Sequence, residues 1–111
     1  MGRGFRALPH LLKGGRLMFI PTGPSYSLPV TFKSRTYAID TPNKKAGLRI
    51  AEHPLDVFIA FGSTADIEAT LESIKTSHAT EVFQLPDNTS YIALICHGNS
   101  TRINITIGLI K

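Results

Sequence analysis

Apolar and polar residues alternate most cleanly near the end of the chain, over Thr101–Leu109. Ile103, Ile105, Ile107 and Leu109 fall on one side, with Arg102, Asn104, Thr106 and Gly108 on the other. A period of two through β-branched residues predicts a half-buried strand, and its apolar face requires an opposing sheet. Upstream stretches supply that sheet. Leu28–Lys33 alternates Leu28, Val30 and Phe32 with Pro29, Thr31 and Lys33, and Pro29 marks an edge strand or a strand start. Thr36–Asp40, Gly47–Ala51, Leu55–Phe61 and Thr80–Leu85 follow, separated by turn residues such as Pro42–Asn43 and Pro86–Asn88. Ser90–His97 is apolar on both faces, which predicts a central strand covered on two sides.

Residues 64–78 fit two patterns. Ile67, Leu71 and Ile74 have helical spacing behind a capping Thr64, whereas Ile67, Ala69 and Leu71 alternate as a strand over Asp66–Leu71. Because the flanks on both sides are β, we expect the strand. With no crossover helix elsewhere, the chain reads as an all-β, mostly antiparallel sandwich of about eight strands over residues 28–111.

Residues 1–27 differ in kind. Gly2, Gly4, Gly14, Gly15 and Gly23, with Pro9, Pro21 and Pro24, interrupt any long element. Between them stand Leu8, Leu11, Leu12, Leu17, Met18, Phe19 and Ile20, along with Arg3, Arg6, Lys13 and Arg16. We expect an extended N-terminal arm that either folds back on its own domain or lies along a neighbouring molecule, and we favour the neighbour, since Gly and Pro suit an extended path better than a packed layer.

Charge sharpens this division. Residues 1–49 hold nine Lys/Arg against Asp40 alone, a net +8, while residues 50–111 hold three against seven carboxylates, a net −4. The first half is thus suited to an acidic partner. Nucleic acid ranks below protein as that partner, because only Phe32 and Tyr37 resemble a stacking platform.

Catalytic chemistry is not visible. His10, His53, His78 and His97 are scattered, and the one cysteine, Cys96, lies in an apolar run and reads as a buried thiol. No nucleophile elbow, zinc-protease helix or phosphate loop occurs, so we expect neither an enzyme nor a cofactor. The three Asn-x-Ser/Thr triplets at Asn88, Asn99 and Asn104 suit turns and strands. No apolar run approaches the roughly 20 residues of a membrane helix, and the start lacks a secretion-type apolar region, so synthesis in the cytoplasm is expected.

The second half carries a resemblance. Val57–Gly62 (VFIAFG), Glu81–Pro86 (EVFQLP) and the apolar hairpin that ends in Ile103–Gly108 stand in the order found in small β-sandwich proteins encoded beside the major capsid protein of tailed phages. In length and layout the chain resembles the capsid decoration (cement or stapling) proteins of epsilon-fifteen-type short-tailed phages. The resemblance covers about half of the chain and consists of strand and turn residues. It implies a jelly-roll-like domain on the outer surface of a virion, homodimeric, that clamps neighbouring major capsid subunits through an extended arm. The arm residues then expected to touch the capsid are Arg3, Arg6, Leu8, Leu11, Leu12, Lys13, Arg16, Leu17, Met18, Phe19 and Ile20. A carbohydrate-binding or host-attachment module on the same sandwich is the alternative, and it requires an exposed aromatic platform.

Overall fold

The computed structural model describes residues 5–7, 18–42 and 44–111. The strands are β1 (Phe5–Ala7), β2 (Phe19–Ile20), β3 (Ser25–Val30), β4 (Arg35–Ala38), β5 (Ala46–Ile50), β6 (Val57–Gly62), β7 (Ile74–Lys75), β8 (Glu81–Gln84), β9 (Tyr91–Cys96) and β10 (Thr101–Ile110). They form two sheets. One runs β1-β8-β5-β10-β2, with β3 also on β10, and the other runs β4-β9-β6-β7.

The pairing has a simple origin. β3 with β10, β4 with β9, β5 with β8 and β6 with β7 are all antiparallel and nested one inside the next. This is one long hairpin, whose tip is the connection between β6 and β7. Rolling that hairpin on itself creates the two further ladders, β5 on β10 and β6 on β9. The resulting orders, β3-β10-β5-β8 and β4-β9-β6-β7, are those of an eight-stranded jelly roll. The expected all-β sandwich is therefore the fold, with β1 and β2 added to the first sheet.

Alternation decides what the core contains. Ile103, Ile105 and Ile107 of β10 point inward with Leu28 and Val30 of β3, Leu48 and Ile50 of β5, and Phe83 of β8. From the facing sheet come Val57 and Ile59 of β6 and Ile92, Leu94 and Cys96 of β9. Cys96 is buried, and burial raises its thiol pKa, so it is a packing residue without a reactive thiolate. Tyr37 ties the layers together by donating its hydroxyl hydrogen to the Pro29 carbonyl.

The strand expected over Asp66–Leu71 does not form, and neither does a helix. The segment crosses the outside of the second sheet instead. Ile67 sits on Gly62 of β6, where a Cβ would come within 2.3 Å of its Cγ2. The Ile67 carbonyl accepts from the Thr36 hydroxyl (2.8 Å), and the Ala69 N–H donates to Ser34 Oγ (2.8 Å), both beside β4. β9 lies between β6 and β4, and Thr36 and Gly62 share the outward face of its Ala93 and Tyr91. The segment thus covers that outer face and leaves Ala93 fully buried. Tertiary contact overrides the local alternation.

Candidate interaction surfaces

The residues predicted to touch a partner divide into two groups. Arg3, Leu8, Leu11, Leu12, Lys13, Arg16 and Leu17 lie outside the described residues, and Arg6 is described only through the backbone of β1, which pairs in parallel with β8. Met18, Phe19 and Ile20 are placed on the domain itself. Met18 and Lys111 exchange backbone hydrogen bonds, both 2.9 Å, and Phe19 and Ile20 pair with Ile110 and Leu109. Gly23 then donates to the Ile107 carbonyl (2.8 Å), and Ile107 donates to the Pro24 carbonyl (2.9 Å). Residues 18–30 therefore line one whole side of β10, with Pro21–Gly23 bulging opposite Gly108. Strand β3 begins at Ser25, three residues before the alternation seen from Leu28.

Glycine makes this docking possible. A Cβ at Gly108 would stand 2.1 Å from the Ile20 carbonyl oxygen and 2.9 Å from Phe19 Cζ. A Cβ at Gly47 would meet Ile110 and Phe19 at 2.7–2.9 Å. The Phe19 ring lies over these two glycines with the Arg49 guanidinium 5.4 Å from its centre. Met18, in contrast, is 62% exposed and points away from the core.

A second cluster was not legible in the sequence. His53 and His78 lie 25 residues apart in the chain, yet their rings meet edge to face at 5.9 Å. His53 is buried. Its Nδ1–H donates to the Leu55 carbonyl (2.8 Å), and its Nε2 faces Thr76 Oγ at 3.0 Å. With Nδ1 carrying the proton, Nε2 of the neutral ring accepts from the Thr76 hydroxyl. The Val57 carbonyl, 2.9 Å from the same hydroxyl, already accepts the Thr76 N–H. The His53 N–H donates to the His78 carbonyl (3.0 Å), and His78 Nε2 contacts the Asp56 carboxylate at 2.9 Å. Together these contacts pin the β5–β6 connection to the β7–β8 connection. A surface depression of about 460 Å³ lies over the cluster, lined by Glu52, His53, Pro54, His78 and Ala79. Among the described residues no group of three or more His, Cys, Asp or Glu is arranged to hold a metal ion.

The cluster makes stability pH-dependent. Burial, only partly offset by the Leu55 bond, lowers the His53 pKa below 6.5. The unfolded chain then takes up a proton near pH 6.5 before the folded one does, so stability falls as pH drops through that region. Asp56 is shifted down by its contact with His78, so its contribution is lost only at still lower pH, below 3.8. Urea midpoints should accordingly decline between pH 7 and pH 5, and His53→Gln should flatten that slope while lowering stability at pH 7. An unchanged slope in the variant would assign the pH dependence elsewhere.

These features define a small jelly-roll domain with its N-terminal strand β2 docked along β10. No family model, no curated protein and no solved structure matches the chain.

Proposed function

We propose that this protein is a non-enzymatic capsid decoration protein that binds the outer surface of a phage head and staples neighbouring major capsid subunits. The observation that carries the reading is the joining of a cationic, apolar N-terminal stretch to the jelly roll through β2. Met18–Ile20 are fixed along β10, so whatever residues 1–17 grasp is coupled to a rigid body rather than to a loose tail. The resemblance in Val57–Gly62, Glu81–Pro86 and Ile103–Gly108 supports the same reading, for these stretches coincide with β6, β8 and β10. Leu8, Leu11, Leu12 and Leu17 supply apolar contact area, while Arg3, Arg6, Lys13 and Arg16 match an acidic surface. Repetition over many sites on a shell, and pairing of copies into homodimers, would raise the effective affinity.

The carbohydrate-binding alternative gains no support from the surface. Among the described residues Phe32 is the one strongly exposed aromatic ring, at 64%, and Lys33 rather than a second ring stands by it. The test is co-sedimentation with shells assembled from the major capsid protein encoded alongside. Lys13→Glu with Arg16→Glu should abolish it while leaving the thermal transition in place. Full binding by this double variant would overturn the assignment.

A further inference from the structure

The second sheet is incomplete along one edge. β7 pairs with β6 only at Phe58 and Ile59, although β6 continues to Gly62. Backbone groups in a strand point to alternate sides. The Thr76 N–H reaches the Val57 carbonyl on the β7 side, and the Ser90 N–H reaches the Gly62 carbonyl on the β9 side. Phe61 therefore turns its N–H and C=O toward the open edge beyond β7, where no described residue pairs with them.

The same place is a groove of about 450 Å³, with Ile59, Phe61, Ile74 and Pro86 as its apolar lining and Glu72 and Ser73 on its border. The Phe61 ring that lines it also meets Phe83 of the other sheet edge to face at 5.8 Å. Glu72 is exposed, as are Asp66 and Glu68 in the same connection. No described cation forms a salt bridge with any of the three, since Lys75 and His78 both go to Asp56.

We propose that this groove is a strand-addition site for an extended segment of another protein, one with apolar side chains at alternate positions and flanking Lys or Arg. The N–H and C=O of Phe61, unpaired among the described residues, would supply main-chain hydrogen bonds, the apolar lining would take one or two side chains, and Glu72 would select for a basic flank. A symmetric pair of these chains does not fit the site, because joining two β6 edges about a two-fold axis brings the acidic connections together. The proposal rests on β6, β7 and the connection between them, so its test does not depend on the capsid reading.

The test uses the full chain, isotopically labelled, and a blocked heptapeptide of sequence Lys-Val-Lys-Ile-Lys-Val-Lys. Addition of the peptide should shift the amide signals of Phe61, Ile74 and Glu72 and slow hydrogen exchange at the Phe61 amide. Glu72→Lys, a change in an exposed connection, should weaken binding several-fold, and a peptide with Glu in place of Lys should not bind. Equal binding of both peptides, or an unperturbed Phe61 amide, would overturn the proposal. Slowed exchange at Phe61 on raising the protein concentration alone would also overturn it, by assigning the groove to a second copy.

Discussion

Replacing Phe83 by alanine should lower stability by about 3–5 kcal/mol, the largest loss from any single side chain in this domain. Phe83 is fully buried, and among the described residues no other fully buried side chain is larger. It stands inward on β8 opposite Leu48 of β5, and its ring meets Phe61 of the other sheet at 5.8 Å with an interplanar angle of 63°. It therefore joins the two layers as well as filling the space between them, and an aromatic pair of this geometry adds about 0.5–1.5 kcal/mol beyond burial. Alanine leaves a cavity bounded by two hydrogen-bonded sheets, which cannot collapse freely. For a domain of this length, at roughly 4 °C per kcal/mol, the melting temperature should fall by roughly 12–20 °C. Since domains of this kind have about 5–15 kcal/mol in total, the variant has to be followed at low temperature or low urea. Phe83→Leu should cost much less, because it keeps most of the volume. A loss below about 1.5 kcal/mol for Phe83→Ala would show that the layers are held together elsewhere.

The same contrast between side-chain pattern and tertiary contact explains what could be read from the chain beforehand. The inward residues of β10 and the double-sided apolarity of β9 are local facts, visible because strands alternate with a fixed period. The partner of each strand is not local. The nested pairing that makes the jelly roll joins Val30 to Thr101 and Phe58 to Lys75, and no spacing rule encodes such distances. Asp66–Leu71 failed as a strand for a related reason. Their alternation is real, but Ile67 and Ala69 face a sheet whose outer surface they cover, so they lie across strands rather than beside one. β2 and β7 are two residues each, too short for any period to show. That is why Phe19 and Ile20 read as part of a free arm, and why the open edge at Phe61 had no signal. The His53–Thr76–His78 contacts were likewise invisible, since the residues meet only when two connections reach the same end of the sandwich.

Gly108→Ala should detach the N-terminal stretch from the domain without unfolding the jelly roll. The obstacle to a methyl group here is the Ile20 carbonyl oxygen, 2.1 Å from the Cβ position, and backbone cannot step aside as the end of a flexible side chain can. β10 is held on its other side by β5 through Ile105–Leu109, whereas β2 is two residues long. The strain, about 1–3 kcal/mol for overpacking of this kind, therefore falls on β2, the weaker partner. Its Phe19 ring, half-buried over Gly47 and Gly108, goes with it. Hydrogen exchange at Ile20 and Lys111 should accelerate sharply, because the Lys111 N–H donates to the Met18 carbonyl, while Ile110, whose N–H donates to Lys45 on the other side of β10, keeps its protection together with Ile103 and Ile105. Trypsin should cut after Arg16 faster than in the parent chain. Gly98→Ala is the control: it meets no atom within 4 Å, and its cost comes only from a φ of +100°, so it should lower stability without quickening exchange at Ile20. If Gly108→Ala also weakens capsid co-sedimentation, then the grip of residues 1–17 depends on the rigid attachment at β2. Unchanged protection at Ile20 would mean that the chain crosses β10 by a path that tolerates the methyl group, and the anchor would have to be sought in the bonds of Met18 to Lys111 instead.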